Sequence, residues 1–281
     1  MLTFGHTWRA TQAALKPLAP APREGRALVA HVLGMDDQTL LKAEQTPFPA
    51  HRITALDALV ARRLTGEPLA YVLGYAPFWG RDWYVSPSVL IPRPDTETLV
   101  HAVLNVLPPT APARIAEVGV GSGAIIGSIL LERPLTTAVG TDISPAAIAT
   151  ATRTTTEAGI AARLTLTPTN LLEGVEGLFD LILSNPPYIS PAEYAALEPC
   201  VRTHEPREAL LAENEGLAIY QALIPAAAPL LKPHGWLMLE VGHTQAAAVT
   251  ALLAHYGYTA VSTLPDMAGR ERVVVGQRTR A

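Results

Sequence analysis

The chain has 281 residues, with 21 Lys and Arg against 25 Asp and Glu, for a formal charge of −4. It is 49% hydrophobic and 16% charged, too apolar for a disordered chain. Its 25 prolines are dispersed, which excludes a collagen-like or linker-dominated polymer.

The length suggests about two domains. Residues 1–100 carry a net +1 and the remainder −5, and neither is the basic body that a phosphate backbone favours. One cysteine, Cys200, cannot close an internal disulfide and fits a reducing compartment. The stretch Met1–Arg9 lacks the apolar region of a signal peptide. The most apolar run, Ile115–Leu131, contains Glu117 and several small residues, short of the ~20 apolar residues that span a bilayer. A cytoplasmic protein without membrane segments is the expectation.

From Trp8 to about Leu64 the pattern is helical. Ala27, Leu28, Ala30, His31 and Leu33 recur at helical spacing, with Gly34 as a stop. Ile53, Leu56, Leu59 and Val60 line one face of a second segment. Arg62 and Arg63 close it, and they read as a solvated helix end. At Gly66-Glu67-Pro68 the character changes. Residues 69–91 are rich in aromatics, Gly and Pro, which predicts a hairpin-like connector. Asp95 or Thr96 is expected to cap a helix over Leu99–Leu107. The expected division is a helical domain over 1–70, a β-hairpin connector over 71–95 and a catalytic domain over 96–281.

Strand and helix patterns then alternate. Strands are expected at Arg114–Gly119, Ala138–Asp142, Leu164–Thr169, Phe179–Ser184 and Trp236–Val241. Helices are expected at Gly123–Arg133, Pro145–Ala158 and Gly216–Leu231. This predicts an α/β doubly wound domain with a mostly parallel sheet. Two last strands, near Ala260–Leu264 and Arg272–Gln277, have no helix between them and form an antiparallel hairpin.

Two strand ends carry a ligand signal. Gly119, Gly121 and Gly123, with Val120 and Ser122 between them, let a backbone turn pass close to a ligand at a helix N-terminus. Asp142 follows Gly123 by 19 residues, where a carboxylate can accept from ribose hydroxyls. Dinucleotides and adenosyl sulfonium compounds both fit this pair.

Asn185-Pro186-Pro187-Tyr188, after the fourth strand, separates them. Methylating a planar nitrogen requires acceptors for two N–H groups. The Asn185 oxygen and the Pro186 carbonyl supply them, favouring the positive charge that grows on the attacking nitrogen. Pro187 stiffens the turn, and Tyr188 can stack on the planar group. Hydride transfer has no use for this tetrapeptide. No His, Cys, Asp and Glu grouping has metal-ligand spacing, so no metal is expected.

The chain resembles the HemK/PrmC family of protein-(glutamine-N5) methyltransferases. The resemblance is carried by Arg62-Arg63…Gly66-Glu67-Pro68, Ile91-Pro92-Arg93-Pro94-Asp95-Thr96-Glu97, Gly119-Val120-Gly121-Ser122-Gly123, Asn185-Pro186-Pro187-Tyr188, Glu205-Pro206-Arg207 and Glu271-Arg272-Val273. It implies a Rossmann-like class I methyltransferase domain, a seven-stranded mostly parallel sheet with an antiparallel C-terminal strand, preceded by a small helical domain. It implies S-adenosyl-L-methionine as cofactor, held by Glu117, Gly119, Val120, Gly121, Ser122, Gly123, Asp142, Ile143, Asn170, Leu171 and Asn185. It further implies that Asn185–Tyr188 hold the Gly-Gly-Gln glutamine of peptide chain release factors and that the helical domain grips the factor. Neither nucleic acid nor membrane is an expected partner. Glu117, Val120, Asn170 and His204 depart from residues frequent in the family. A ribosomal-protein glutamine or an N6-adenine in nucleic acid is the alternative substrate.

Overall fold

A computed structural model describes residues 2–18 and 23–279. The chain folds into two compact units. The first holds the residues up to Tyr75 together with Glu198–His204, and the second holds the rest.

The first unit is helical. Up to Tyr75 its helices are α1 (Phe4–Ala14), α2 (Glu24–Leu33), α3 (Asp37–Lys42), α4 (Ile53–Leu64) and α5 (Leu69–Leu73). Phe4, Trp8, Leu28, Val29, Leu40, Leu56 and Val72 share one core. Gly34 ends α2 with φ +66°, a left-handed stop that glycine adopts without steric cost.

Arg62 is exposed, as expected of a helix end, but Arg63 is not. Arg63 Nε donates to Glu24 at 2.8 Å, both side chains being mostly buried. Arg62 pairs with Glu67 and donates to the Tyr71 carbonyl at 3.0 Å. The two guanidiniums therefore tie α4 to α2 and α5.

Leu69–Leu73 is also helical, where a hairpin was expected to begin. The apolar faces of Tyr71 and Val72 are buried, and the left-handed Gly74 delays extended structure to the next residue. The hairpin itself is β1 (Tyr75–Phe78) and β2 (Arg81–Tyr84).

After a 3-10 turn at Pro94–Thr96 come α6 (Glu97–Val106), β3 (Ala113–Val118), α7 (Ala124–Glu132), β4 (Thr136–Asp142), α8 (Pro145–Glu157), β5 (Leu164–Pro168) and β6 (Phe179–Ser184). The chain continues through α9 (Pro191–Ala196), α10 (Pro199–His204), the single turn α11 (Glu213–Gly216), α12 (Ala218–Ala227), β7 (Leu231–Glu240), α13 (Ala246–His255), β8 (Tyr258–Pro265) and β9 (Glu271–Arg278). Strand order in the seven-stranded sheet is β5-β4-β3-β6-β7-β9-β8, and β9 runs antiparallel to both of its neighbours. This is the Rossmann-like sheet implied by the sequence.

Side chains alternate across the sheet with the period of two that strands impose. Ile115, Leu181, Leu183, Met238, Val273 and Val275 face one core, with α6 and α7 residues such as Leu99, Val103, Ile126 and Ile129. Ala116, Ile182, Leu237, Leu239 and Val274 face the other, with Tyr220, Leu223 and Val249 from α12 and α13. Helices on both faces account for the nearly continuous apolar runs of the central strands.

β4 and β8 each begin two residues before the expected start, and three further points differ. Neither Asp95 nor Thr96 caps α6 through its side chain. The helix expected from Gly216 starts at Ala218, because Asn214, Glu215 and Gly216 are all left-handed. Strand β7 begins at Leu231, five residues before Trp236. Its pairing with β6 is broken between Phe179 and Leu181, where His234 adopts φ +64°.

Candidate active site

The connection from β3 to β4 goes to one side of the sheet, and β6 returns on the other. The crevice at such a reversal lies outside the carboxyl ends of the strands. A cavity of about 320 Å³ occupies it, at the small end of the roughly 300–1,000 Å³ usual for small-molecule sites.

Four strand ends converge there. After β3 come Gly119, Val120, Gly121 and Ser122, after β4 Asp142 and Ile143, after β5 Asn170 and Leu171, and after β6 Asn185, Pro186 and Pro187. Thr96, Pro92 and Arg93 also line it.

The glycine turn is held by the carboxylate that ends β4. Gly119 and Gly121 have φ +74° and +52°, left-handed values that a Cβ disfavours. The Gly121 amide donates to Asp142 Oδ2 at 2.9 Å, and the Ser144 amide donates to Oδ1 at 2.9 Å. Both Asp142 oxygens are thus oriented from below while the residue stays at the cavity wall. Ile143, 66% exposed, is an apolar surface beside it.

Glu117, Gly123 and Tyr188 do not line the cavity. Glu117 is fully buried beneath the turn, where Oε2 accepts from the Ile126 amide at 3.0 Å. Burial pushes its carboxyl well above the usual range, which the Ile126 amide only partly opposes. Its place is inside the protein, supporting the start of α7. Gly123 is the left-handed residue that precedes that helix.

Tyr188 turns its hydroxyl inward to Glu240 Oε1 at 3.4 Å, and its carbonyl accepts from Gln245 Nε2 at 2.9 Å. Burial, then the neighbouring Glu240 charge, raise the Tyr188 phenol far above its ordinary value, so it remains protonated.

Asn185 Nδ2 donates to Thr96 Oγ1 at 3.3 Å. Pro186 and Pro187 have no N–H, so this stretch of backbone offers a ligand only carbonyl acceptors. No donor among the described residues engages the Pro186 carbonyl. Asn170 Nδ2 donates to Glu173 at 3.0 Å, leaving its oxygen for a ligand.

Two buried acids, Glu205 and Glu240, were not singled out as individual side chains from the sequence. Glu205 accepts from the Ile91 amide at 3.2 Å and pairs with Arg93, fixing the Ile-Pro-Arg-Pro segment along the cavity. Glu240, an acid closing the apolar run Trp236–Leu239, was the available signal for the second.

Residues 7–74 match the PrmC N-terminal domain, and residues 95–202 match the methyltransferase small domain. A release factor glutamine methyltransferase of Geobacter sulfurreducens is 41% identical over 96% of this chain and 94% of its own length. A second, from Cereibacter sphaeroides, is 39% identical over 90% of each chain. Among solved structures, a methyltransferase from Pyrococcus furiosus is 18% identical, with a TM-score of 0.55 over 78% of this chain and 98% of that one.

The sheet order and the matched methyltransferase domain define a Rossmann-like methyltransferase. With relatives this similar along nearly its whole length, the chain belongs to the HemK/PrmC family of release factor glutamine methyltransferases. Among the described residues no helix is long and apolar enough to cross a membrane.

Proposed function

We propose that this protein transfers a methyl group from S-adenosylmethionine to the side-chain amide nitrogen of the Gly-Gly-Gln glutamine in peptide chain release factors. The strand ends fit the cofactor. A Cβ built on Gly119 or Gly121 meets nothing closer than 3.9 Å, so glycine there leaves an open backbone cradle. Asp142 stands where ribose hydroxyls can donate to it, Ile143 offers an adenine face, and the Asn170 and Leu171 turn closes the adenine end. The bound cofactor supplies an electrophilic methyl on a sulfonium, which the amide nitrogen takes as the sulfur leaves as a thioether.

The observation that carries the reading is the acceptor-only Asn-Pro-Pro turn beside that cradle. A primary amide has two N–H donors and a nitrogen lone pair delocalised into its carbonyl. Asn185 Oδ1 accepts one N–H and the Pro186 carbonyl the other, orienting the nitrogen. As the nitrogen attacks, its N–H groups become more acidic and both hydrogen bonds strengthen, so the acceptors stabilise the transition state more than the ground state. The proton left over passes to water after the methyl is transferred. Tyr188 anchors the turn from behind through Glu240 and Gln245. The helical unit supplies the docking surface for the factor.

An adenine amine offers the same two N–H donors, but the −5 charge of residues 101–281 opposes a phosphate backbone. The test is mass spectrometry of an unmethylated release factor incubated with enzyme and cofactor. One methyl on the Gly-Gly-Gln peptide is expected, and an unchanged peptide overturns the substrate. Replacing Asn185 by Ala is expected to lower kcat about 100-fold, the typical effect of removing one preorganised hydrogen-bonding group, with cofactor affinity little changed.

A further inference from the structure

Behind the Asn-Pro-Pro-Tyr turn, one side chain commits both ends of its amide to backbone groups. Gln245, 8% exposed between β7 and α13, donates from Nε2 to the Tyr188 carbonyl at 2.9 Å and to the Glu215 carbonyl at 3.2 Å. Its Oε1 accepts from the Gly242 amide at 3.1 Å. A primary carboxamide carries its two donors on nitrogen and its acceptor sites on oxygen. Two carbonyls at one end and an N–H at the other therefore leave one orientation for the group.

The Glu215 carbonyl reaches this amide through an unusual stretch of backbone. Asn214, Glu215 and Gly216 are left-handed in succession, with φ of +54°, +57° and +81°. That conformation is unfavourable for the first two, whose Cβ crowds the following carbonyl oxygen, and such outliers persist where the surrounding structure fixes them. Gly216 answers a different need. A Cβ on it would lie 2.1 Å from the Tyr188 carbonyl oxygen and 2.3 Å from Gln245 Nε2, so the turn rests directly on glycine backbone. Just past Tyr188, the Ile189 amide donates to the Leu210 carbonyl and the Ile189 carbonyl accepts from the Ala212 amide, both at 2.9 Å.

These contacts fall where the turn would otherwise hinge. The rings of Pro186 and Pro187 fix φ at both residues, and a following proline restricts Asn185 and Pro186 as well. Tyr188 is the next residue along, and no ring fixes its φ. Rotation there would swing the stiff Asn-Pro-Pro unit and carry the Pro186 carbonyl with it.

We propose that Gln245 and Gly216 are positioning residues that hold Tyr188 at this hinge, keeping Asn185 Oδ1 and the Pro186 carbonyl aimed at the substrate amide. This rests on the acceptor role given to the turn above. The same contacts fasten the turn to the segment after Glu205, of which Pro206, Glu208, Ala209 and Leu211 line the cavity.

The test compares release factor methylation by wild type, Gln245→Met, Gly216→Ala and Tyr258→Phe. Gln245→Met keeps the side-chain volume and loses all three hydrogen bonds. Tyr258→Phe loses a buried hydrogen bond to the Ile224 carbonyl of α12 at a residue that does not line the cavity. For Gln245→Met and Gly216→Ala, kcat is expected to fall about 10- to 100-fold, the scale on which a misplacement of roughly 1 Å acts. The KM for release factor, and the affinity for S-adenosylmethionine by calorimetry, should stay within about threefold, as when an interaction made only in the transition state is lost. Combined with Asn185→Ala, Gln245→Met should add little, since residues that act through one another are not additive. Tyr258→Phe should be less stable in urea and keep the wild-type kcat. A folded Gln245→Met or Gly216→Ala with wild-type kcat, a loss confined to KM, or a loss of kcat shared by Tyr258→Phe overturns this inference alone. Gln245→Asn, which keeps the amide one methylene short, replaces Gln245→Met if that variant does not fold. Failure of both to fold makes the residue structural and overturns the positioning role. Wild type inert on release factor overturns the substrate reading and this inference with it.

Discussion

At the residue scale, Asp142 serves two masters. Its oxygens hold the Gly121 and Ser144 amides, and in the proposed reaction the same carboxylate also accepts from the cofactor's ribose. Replacing it by Ala therefore loosens the glycine turn and removes an acceptor at once. Charge-assisted hydrogen bonds of this kind contribute about 1.5–3 kcal/mol each. S-adenosylmethionine is expected to bind at least tenfold more weakly to Asp142→Ala by calorimetry, with kcat at saturating cofactor much less affected. This pairing was half legible in the sequence, because an acid about 20 residues past a glycine turn is a recognised pattern. Its second job was not, since backbone amides leave no mark in a residue pattern. Glu117 shows the converse. Its position before the glycines suggested a ligand, but the strand's alternation turns its side chain into the protein.

At the element scale, the parallel strands were legible because both faces are covered, which writes uninterrupted apolar runs. What the pattern missed were places where single residues redirect the backbone, such as the left-handed Asn214, Glu215 and His234. Arg63 escapes the pattern for a related reason. Two adjacent arginines at a helix end look solvated unless a distant acid is known to meet them, and Glu24 lies 39 residues away in sequence. Removing one member of a mostly buried ion pair strips the other of its main opposite charge. Arg63→Ala is expected to destabilise the helical unit by about 3 kcal/mol in chemical denaturation. Glu157→Ala, which loses an exposed pair within α8, is expected to cost well under 1 kcal/mol.

For the whole molecule, the acid at the end of β7 links stability to pH. Its folded pKa of about 7 lies above the ordinary 4.5, so the folded chain binds more protons than the unfolded one between those values. The stability this group contributes is full below the ordinary value, is lost as pH rises through the folded value, and is constant above it. The total swing is on the order of 3 kcal/mol. Glu240→Gln lacks the swing, so its stability relative to wild type is expected to increase from pH 5 to pH 7 and then level off. Urea titrations of both proteins across that range check this, and Glu117 cancels in the difference.

In the proposed reaction, the acceptor-only turn also decides when the enzyme stops. An unmodified glutamine amide brings two N–H groups to two acceptors. The methylated product brings one, and sets a methyl group against an oxygen that then has no donor. A lost hydrogen bond to a buried acceptor costs about 1–3 kcal/mol, enough to make product dissociation faster than substrate dissociation. The same mismatch keeps a second methyl from being added, so the turn works as a counter that reads one and resets.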